Sequence, residues 1–228
     1  MSNVFANLDW SVLTDTLLRI IPALICLTIH ELCHGFAAYK LGDNTAKNMG
    51  RLTLNPLRHI DIMGLVMMAL FRFGWAKPVP VNMRNFKHPK RGMAITALAG
   101  PVSNFVLAAL ILAIYGVLFA IKPYHSSGAI WHTLLQTLES TAWLSTALGI
   151  FNLIPIPPLD GSKVLFSLLS DALYEKLMRV ERYGMIILMI VIVTGALDKT
   201  LGVATSWVFE RLFIIAEGVY KLVTPMVA

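Results

Sequence analysis

The chain has 228 residues, of which 57% are hydrophobic and only 14% are charged. This composition leaves too little polar surface to cover a water-soluble globule, so it excludes a soluble enzyme and predicts an integral membrane protein. The formal net charge of +6 could indicate a nucleic-acid partner, but the basic residues cluster in one loop between apolar runs, and we expect no binding of nucleic acid.

The first apolar run extends from about residue 11 to Lys40 and is long enough to cross a bilayer. We predict that it is a membrane-spanning helix and not a cleaved signal peptide, because no basic region precedes it. Gly42, directly after this run, can terminate the helix.

This helix carries the motif His30-Glu31-Leu32-Cys33-His34 in its second half. An α-helix turns by about 100° per residue, so the two histidines share a face and can bind one metal ion. Glu31 lies at the flank, where it is poorly placed as a ligand and well placed to hold a water molecule, as in the H-E-x-x-H motif of zinc hydrolases. A short motif can arise by chance, but ionisable residues inside an apolar span usually mark function. Cys33 is an alternative soft ligand.

The loop that follows predicts the orientation of the chain. Between Lys40 and Arg91 there are ten basic and two acidic residues, so this loop is expected on the cytoplasmic side. Within it, residues 62–71 form an apolar run too short to span, which favours a re-entrant or interfacial segment. The prolines of the stretch from Gly74 to Asn82 exclude a helix and favour extended backbone, with a plain surface loop as the alternative.

Further apolar runs predict the remaining helices. Residues 92–121 carry no charge and predict a second span, and residues 133–155 predict a third, which ends in a proline-rich stretch before Asp160. Residues 162–182 predict one or two short helices, followed by a fourth apolar segment at 183–197. Residues 200–223 predict either a fifth span or an amphipathic helix in the membrane interface.

Asp160 is the candidate third metal ligand. If the loop from Lys40 to Arg91 is cytoplasmic, the first and third spans both end on that side, so Asp160 and the two histidines meet at one face. A tetrahedral zinc bound by two histidines needs one more protein ligand and a water. The alternative is that Asp160 only caps the helix that begins near Ser162.

These motifs together resemble the site-2 proteases, which are intramembrane zinc metalloproteases of peptidase family M50, in a minimal form without PDZ or CBS domains. The resemblance covers about residues 24–164. It rests on the histidine motif, on Gly50 to Pro56 with His59 and Asp61, on Gly74 to Asn82, on Gly100 to Asn104, and on Asn152 through Gly161.

The resemblance implies one zinc ion per chain, held by His30, His34 and Asp160. It implies that Glu31 is the catalytic base and that Asn152 steadies the site or the developing oxyanion. It also implies that residues 74–82 form a β-loop that presents extended substrate. We expect substrate or supporting contacts from Asn55, His59, Pro78, Val79, Pro80, Val81, Asn82 and Asn104.

The predicted fold is an all-α polytopic bundle of about four to six transmembrane helices with a small membrane-associated β-loop or re-entrant segment. We expect one membrane-embedded domain over residues 1–228, with a catalytic core at about 11–165 and C-terminal helices at about 166–228. The expected location is a bacterial or archaeal cell membrane, with the active site toward the cytoplasm.

The expected function is hydrolysis of peptide bonds within or near transmembrane segments, either to release a regulator or to clear signal-peptide remnants. The expected partners are the lipid bilayer and transmembrane protein or peptide substrates, and a regulatory membrane partner or a homo-oligomer stays open. The alternative is a non-catalytic membrane binding protein with a structural zinc site. A metal transporter is disfavoured, because its polar residues would line a path through both leaflets.

Overall fold

The computed structural model describes residues 10–64, 67, 74–122 and 128–227, and within these ranges the chain is helical and has no β-strand. The prediction of an all-α protein is confirmed. The helices are α1 (Trp10–Lys40), α2 (Thr45–Asn48), α3 (Pro89–Ile121), α4 (Ala129–Asn152), α5 (Asp160–Ser167), α6 (Asp171–Val180), α7 (Gly184–Val193) and α8 (Asp198–Val227). Single 3-10 turns lie at Pro56–Arg58, Met83–Asn85 and Glu181–Tyr183.

Two helices among the described residues are long and apolar enough to cross a membrane, namely Ile20–Lys40 of α1 and all of α3. The count rises to three if Asp171–Val193 and Asp198–Val227, which are bent by 88°, form one broken span. The predicted four to six spans are not confirmed. The predicted fourth span corresponds to α7, whose ten residues extend only about 15 Å, half the thickness of the hydrocarbon core.

Helix α3 is the centre of the bundle, because α1, α4, α5 and α8 all pack against it. The main apolar core lies between α3, α4 and α8 and contains Ala108, Ile111, Leu112, Ala142, Phe209 and Ala216. Gly116 permits the close approach of α8, since a Cβ there would lie 2.4 Å from the Ala216 carbonyl oxygen. The N-terminal third of α3 thereby stays fixed beside α1 and α5.

The stretch from Gly74 to Asn82 is irregular backbone and not a regular β-loop. Its one bridge is an isolated antiparallel pairing of Ile60 with Ala76, beside which the Lys77 N–H donates to the His59 carbonyl oxygen at 2.8 Å. Proline cannot donate to a ladder, which explains why Pro78 and Pro80 prevent the pairing from extending. The predicted β-loop is therefore not confirmed. Much of the predicted re-entrant run at 62–71 lies outside the described residues.

The loop between α4 and α5 positions Asp160 as the first residue of α5. Gly161 is required there by a close approach, because a Cβ at this position would lie 2.2 Å from the Leu153 carbonyl oxygen. Gly184 at the start of α7 packs in the same way against Pro157, with a Cβ distance of 2.8 Å. The proline-rich loop is thus held between the end of α4 and the start of α7.

Candidate metal centre

The side chains of His30 and His34 in α1 and of Asp160 at the start of α5 converge at one point. The His30 Nε2 atom lies 3.0 Å from His34 Nε2 and 3.2 Å from Asp160 Oδ2, and the His34 Nε2 atom lies 3.0 Å from the same carboxylate oxygen. All three residues are more than nine-tenths buried. They are the described group whose donor atoms lie close enough to share one metal ion.

The His34 ring is oriented by the backbone of α3. Its Nδ1 atom lies 2.7 Å from the Thr96 carbonyl oxygen, and a carbonyl oxygen only accepts hydrogen bonds. Nδ1 therefore carries the proton, and in the neutral ring Nε2 presents its lone pair toward His30 and Asp160. This is the tautomer that a metal ligand needs.

The His30 ring is oriented by Asn104, which is fully buried on α3. The Asn104 amide lies against His30 Nδ1 at 3.0 Å through its Nδ2 atom, while its Oδ1 atom has no partner among the described residues. If the Asn104 amide is rotated by 180°, its Oδ1 atom accepts a hydrogen bond from His30 Nδ1–H. The Nε2 atom of His30 then keeps its lone pair for a metal ion. Ser145 of α4 supports this contact by donating its hydroxyl to the Asn104 carbonyl oxygen at 2.8 Å.

The geometry of this cluster fits a tetrahedral zinc ion. Ligand atoms at 2.0–2.2 Å from zinc lie about 3.4 Å apart, close to the observed separations of 3.0 to 3.2 Å. Gly100 of α3 leaves the room that the ion needs, because a Cβ there would lie only 2.4 Å from His34 Nε2. Three protein ligands leave the fourth position for water, as in catalytic zinc sites.

Asp160 faces the histidines through one oxygen and a lysine through the other. Lys163 Nζ lies 3.8 Å from Asp160 Oδ1. Burial raises the pKa of the Asp160 carboxyl, but the two histidines and Lys163 lower it by more, so the pKa lies below its ordinary range. The carboxylate is ionised at neutral pH, as a metal ligand must be.

Glu31 is held by the irregular segment from Gly74 to Asn82. Its Oε2 atom accepts a hydrogen bond of 2.8 Å from the Val79 N–H, and its side chain is buried. The carboxylate therefore stays beside the metal ligands without joining them. One backbone amide of the stretch from Gly74 to Asn82 is thus tied directly to the acidic residue of the motif.

A cavity of about 460 Å³ opens beside the cluster. Its walls include the metal-binding group and Glu31, together with Pro78, Val79, Val81 and Asn152. Asn152 donates one amide N–H to the Leu148 carbonyl oxygen at 3.0 Å, so its second N–H is left for another acceptor. The cavity has room for an extended peptide next to the three donor atoms.

Comparison of the sequence with known proteins identifies the family of this chain. Residues 114–195 match the model of peptidase family M50. The chain is 41% identical over 181 residues to the Bacillus subtilis protein named "Putative zinc metalloprotease YwhC", which covers 77% of this chain and 80% of the relative. The chain belongs to peptidase family M50. It is also 31% identical over 191 residues to the Mycolicibacterium smegmatis protein named "Putative zinc metalloprotease Rip2", covering 82% of this chain and 71% of the relative. No solved structure matches it significantly.

The family assignment confirms the predicted resemblance and the zinc cofactor, so this M50 peptidase is a zinc metallopeptidase that has apolar helices compatible with a membrane. The matched region contains Asn152 and Asp160 but not the histidine motif. The histidine motif and the matched region come together in the folded chain. His30 lies 3.2 Å from Asp160, although 130 positions separate them in the sequence.

Some residues predicted near the site lie elsewhere in this M50 peptidase. Asn55 caps the turn at Pro56–Arg58 by accepting from the Leu57 N–H. Asn82 caps the next turn through its side chain, while its backbone N–H donates to Asp43 at 2.7 Å. His59 is buried beside a smaller neighbouring cavity.

The structure also adds residues that the sequence did not indicate. The cavity of this M50 peptidase is closed on one side by Met178, Glu181, Met185 and Leu188, which come from α6, α7 and the turn between them. The sequence there changes from a mixed, charged stretch to an apolar run at 183–197, and neither pattern indicates contact with the site. Gly100 belongs to one of the motifs that carry the family resemblance, but only the structure shows that it lies against the two histidines.

Proposed function

We propose that this chain is a membrane-embedded endopeptidase of the site-2 protease type, which hydrolyses peptide bonds within or near the transmembrane segments of membrane proteins. The observation that carries this proposal is the group of three donor atoms within 3.2 Å of one another. Two of them, from His30 and His34, lie on a helix long and apolar enough to span a membrane. A buried carboxylate, Glu31, lies beside them.

In the proposed reaction the metal ion and the side chains of the protein have separate roles. Zinc held by His30, His34 and Asp160 would polarise the peptide carbonyl and lower the pKa of a water molecule that it binds. Glu31 accepts a proton as the oxygen of the attacking water bonds to the carbonyl carbon, and it passes this proton to the amine nitrogen when the C–N bond breaks. The Val79 N–H keeps the Glu31 carboxylate in a fixed orientation, 2.8 Å away, so the base needs little reorganisation during the reaction.

The substrate must be extended where it is cut. A helix uses its own carbonyl groups in internal hydrogen bonds, so a transmembrane substrate has to unwind before its peptide bond can reach the metal. Residues 76–82, with Pro78, Val79 and Val81 in the cavity wall, offer extended backbone for an unwound peptide to lie against. Asn152 is the candidate for steadying the developing negative charge through its second N–H.

The proposed orientation places the cavity toward the cytoplasm, because the segment from Lys40 to Arg91 is strongly basic. We propose that residues 1–228 form one membrane-embedded domain, which the packing of α8 onto α3 and α4 supports. The broken span of α6 to α8 and the burial of α4 in the bundle are compatible with more than three crossings. A regulatory partner or a homo-oligomer stays a prediction.

A non-catalytic binding protein with a structural zinc is the less favoured function. Structural zinc sites are closed by four protein ligands, whereas the described metal-binding group offers three. A structural site also needs no acidic residue such as Glu31 held next to the ligands.

Replacement of the base tests the proposal. Glu31→Gln should lower cleavage of a single-span reporter about 10²- to 10⁴-fold, because the amide cannot accept the proton. Zinc content, measured by elemental analysis in detergent, should stay at about one ion per chain. Glu139→Gln, an exposed residue of α4, is the matched control and should cleave as the wild type does. Retained turnover in Glu31→Gln would refute the role of Glu31.

A further inference from the structure

A second cavity lies on the outer face of α1, away from the metal ligands. It has a volume of about 270 Å³ and lies between α1 and the loop before His59, where Ile21, Leu24, Ile25 and Thr28 face Leu54 and Pro56. The four α1 positions share one face of the helix. Ile21 and Ile25 are about half exposed on a helix that can span the membrane, so this outer groove opens toward lipid. The described residues that line it carry no charge.

A small pocket, called the passage below, lies between the outer groove and the active-site cavity, because it shares lining residues with each of them. The passage shares Leu24, Thr28 and Pro56 with the outer groove, and it shares Trp75 and Ala76 with the active-site cavity. Its volume of about 20 Å³ is close to that of one water molecule, so a peptide chain cannot pass in this conformation.

The passage is narrowed by a short backbone pairing. Ile60 forms the isolated bridge with Ala76, and the Lys77 N–H donates to the His59 carbonyl oxygen. A pairing of two residues contributes little stability, since a single intramolecular hydrogen bond contributes about 1 kcal/mol net. Separation of residues 59–60 from residues 76–77 would widen the passage, because both pairs of residues lie at or beside its wall.

His59 places an unused acceptor in the wall of this passage. The ring is 3% exposed, and its Nε2 atom lies 2.9 Å from the Thr53 carbonyl oxygen. Because that oxygen only accepts, Nε2 carries the proton and Nδ1 is the acceptor in the neutral ring. Nδ1 is buried and has no hydrogen-bond partner among the described residues. Buried acceptors are normally paired, so this atom is suited to receive an N–H that arrives with a ligand.

We propose that the outer groove seats the apolar transmembrane segment of a protein substrate, which reaches the active site through the passage. An unwinding helix exposes backbone N–H groups that have lost their partners, and His59 Nδ1 accepts a hydrogen bond from one of them. The proposal rests on the proposed function, because it requires a membrane-spanning substrate. An apolar segment fits the uncharged wall of the groove. The passage, which shares lining residues with the groove and with the active-site cavity, is the route between them.

Photo-crosslinking tests the groove directly. A benzophenone amino acid replaces Ile25 in the Glu31→Gln background, and the same replacement at Val106, which is about half exposed on α3, is the matched control. The probe is a biotinylated single-span peptide of about 20 leucine and alanine residues with a central Gly-Asn pair, in vesicles of phosphatidylethanolamine and phosphatidylglycerol. Position 25 should crosslink the peptide at least tenfold more than position 106. Lipid adducts alone at position 25, or equal peptide yields, would overturn the proposal.

Cleavage of the same peptide by the unmodified chain separates the two proposals. Cleavage without a crosslink from position 25 would reject the outer groove and retain the endopeptidase. A crosslink without cleavage would retain the groove and count against the proposed function.

A substitution of His59 tests the role of its Nδ1 atom as a hydrogen-bond acceptor. His59→Leu should slow cleavage of the single-span peptide at least tenfold while zinc content stays unchanged, and His59→Gln should restore most of the rate because its amide oxygen can accept. Equal rates for all three chains would reject this role of His59.

Discussion

The metal-binding group and the irregular segment at 76–82 face the same cavity, but they are held by different kinds of contact. The proposed metal ligands are buried side chains on helices, with the orientation of each histidine ring set by the Thr96 carbonyl or by Asn104. The segment is held through its backbone, by hydrogen bonds to the side chains of Glu31, Asp43 and Arg51. The first arrangement depends on helix packing, and the second depends on a few hydrogen bonds of about 1–3 kcal/mol each. Metal binding and substrate binding should therefore respond to different substitutions.

The largest effect should come from removing a ligand. Asp160→Ala should lose the zinc, because two histidines alone leave the ion without its third protein ligand. Elemental analysis of protein purified in detergent measures the loss against about one zinc per chain in the wild type. Asp171→Ala, which changes an exposed aspartate paired with Lys90, should keep its zinc. Normal zinc in Asp160→Ala would mean that this residue only begins α5.

Filling the space beside the ligands should have nearly as large an effect. Gly100→Ala places a methyl group about where His34 Nε2 and the His30 ring now lie, at 2.4 to 2.6 Å. Alanine favours a helix over glycine by about 1 kcal/mol, so any loss of zinc affinity reflects crowding of the site. We expect a loss of at least 100-fold in a competition titration with a chelator. Gly202→Ala in α8, where a Cβ has open space, should bind zinc as the wild type does, and equal affinities in the two variants would contradict this account.

Loss of the amide that orients the His30 ring should weaken zinc binding less than loss of a metal ligand. Asn104→Leu removes the amide beside His30 Nδ1 and should weaken zinc binding about 10- to 100-fold, as is usual for partners of metal-bound histidines. Asn104→Asp keeps an oxygen that accepts from Nδ1–H and should retain most of the affinity. Identical affinities for the two variants would show that Asn104 only fills space.

Substitution of Asp43 should have the smallest effect on zinc binding and the clearest effect on the segment at 76–82. This fully buried carboxylate accepts hydrogen bonds from the Asn82 N–H, the Asn85 amide and Thr45. Asp43→Asn should leave zinc binding unchanged, raise KM for a single-span peptide several-fold and change kcat less. Asp198→Asn at the start of α8 is the matched control. A loss of zinc in Asp43→Asn would show that the two regions are not independent.

The same carboxylate predicts a pH dependence with a definite sign. Burial raises the pKa of Asp43, but the hydrogen bonds from Thr45, Asn82 and Asn85 lower it by more, so it lies below its ordinary value. Its contribution to stability is therefore present above the unfolded pKa of about 3.9 and is lost as the pH falls through the lower folded pKa. Hydrogen exchange of residues 76–82 should be slower in the wild type than in Asp43→Asn at pH 7, and this difference should shrink in strong acid.

The sequence predicted the parts of the molecule that have a clear pattern. The apolar runs located α1 and α3 to within a few residues, and helical periodicity brought His30 and His34 to one face. Asp160 followed from the expected direction of the spans, together with the family resemblance. The lack of charges around Gly100 and Asn104 located a helix, but the contact of that helix with the histidines depends on packing.

Other parts were not predictable from a pattern. The hydrogen bond from Val79 to Glu31 comes from a backbone amide, which has no side-chain signature in the sequence. Asn55 looked like a residue near the site, but its amide is used locally as a cap, a common role for asparagine before a turn. The first residue of α7, Gly184, packs against Pro157, and the hydropathy of the apolar run does not indicate this contact.

The distance of 130 positions between His30 and Asp160 has a consequence for biosynthesis. When ribosomes make this chain, α1 with its two histidines is inserted long before α5 exists, and two imidazoles without the carboxylate hold zinc weakly. The complete donor set forms only after α3 and α4 have been made and have packed beside α1. A half-made chain therefore lacks the group of three side chains that could bind a metal ion.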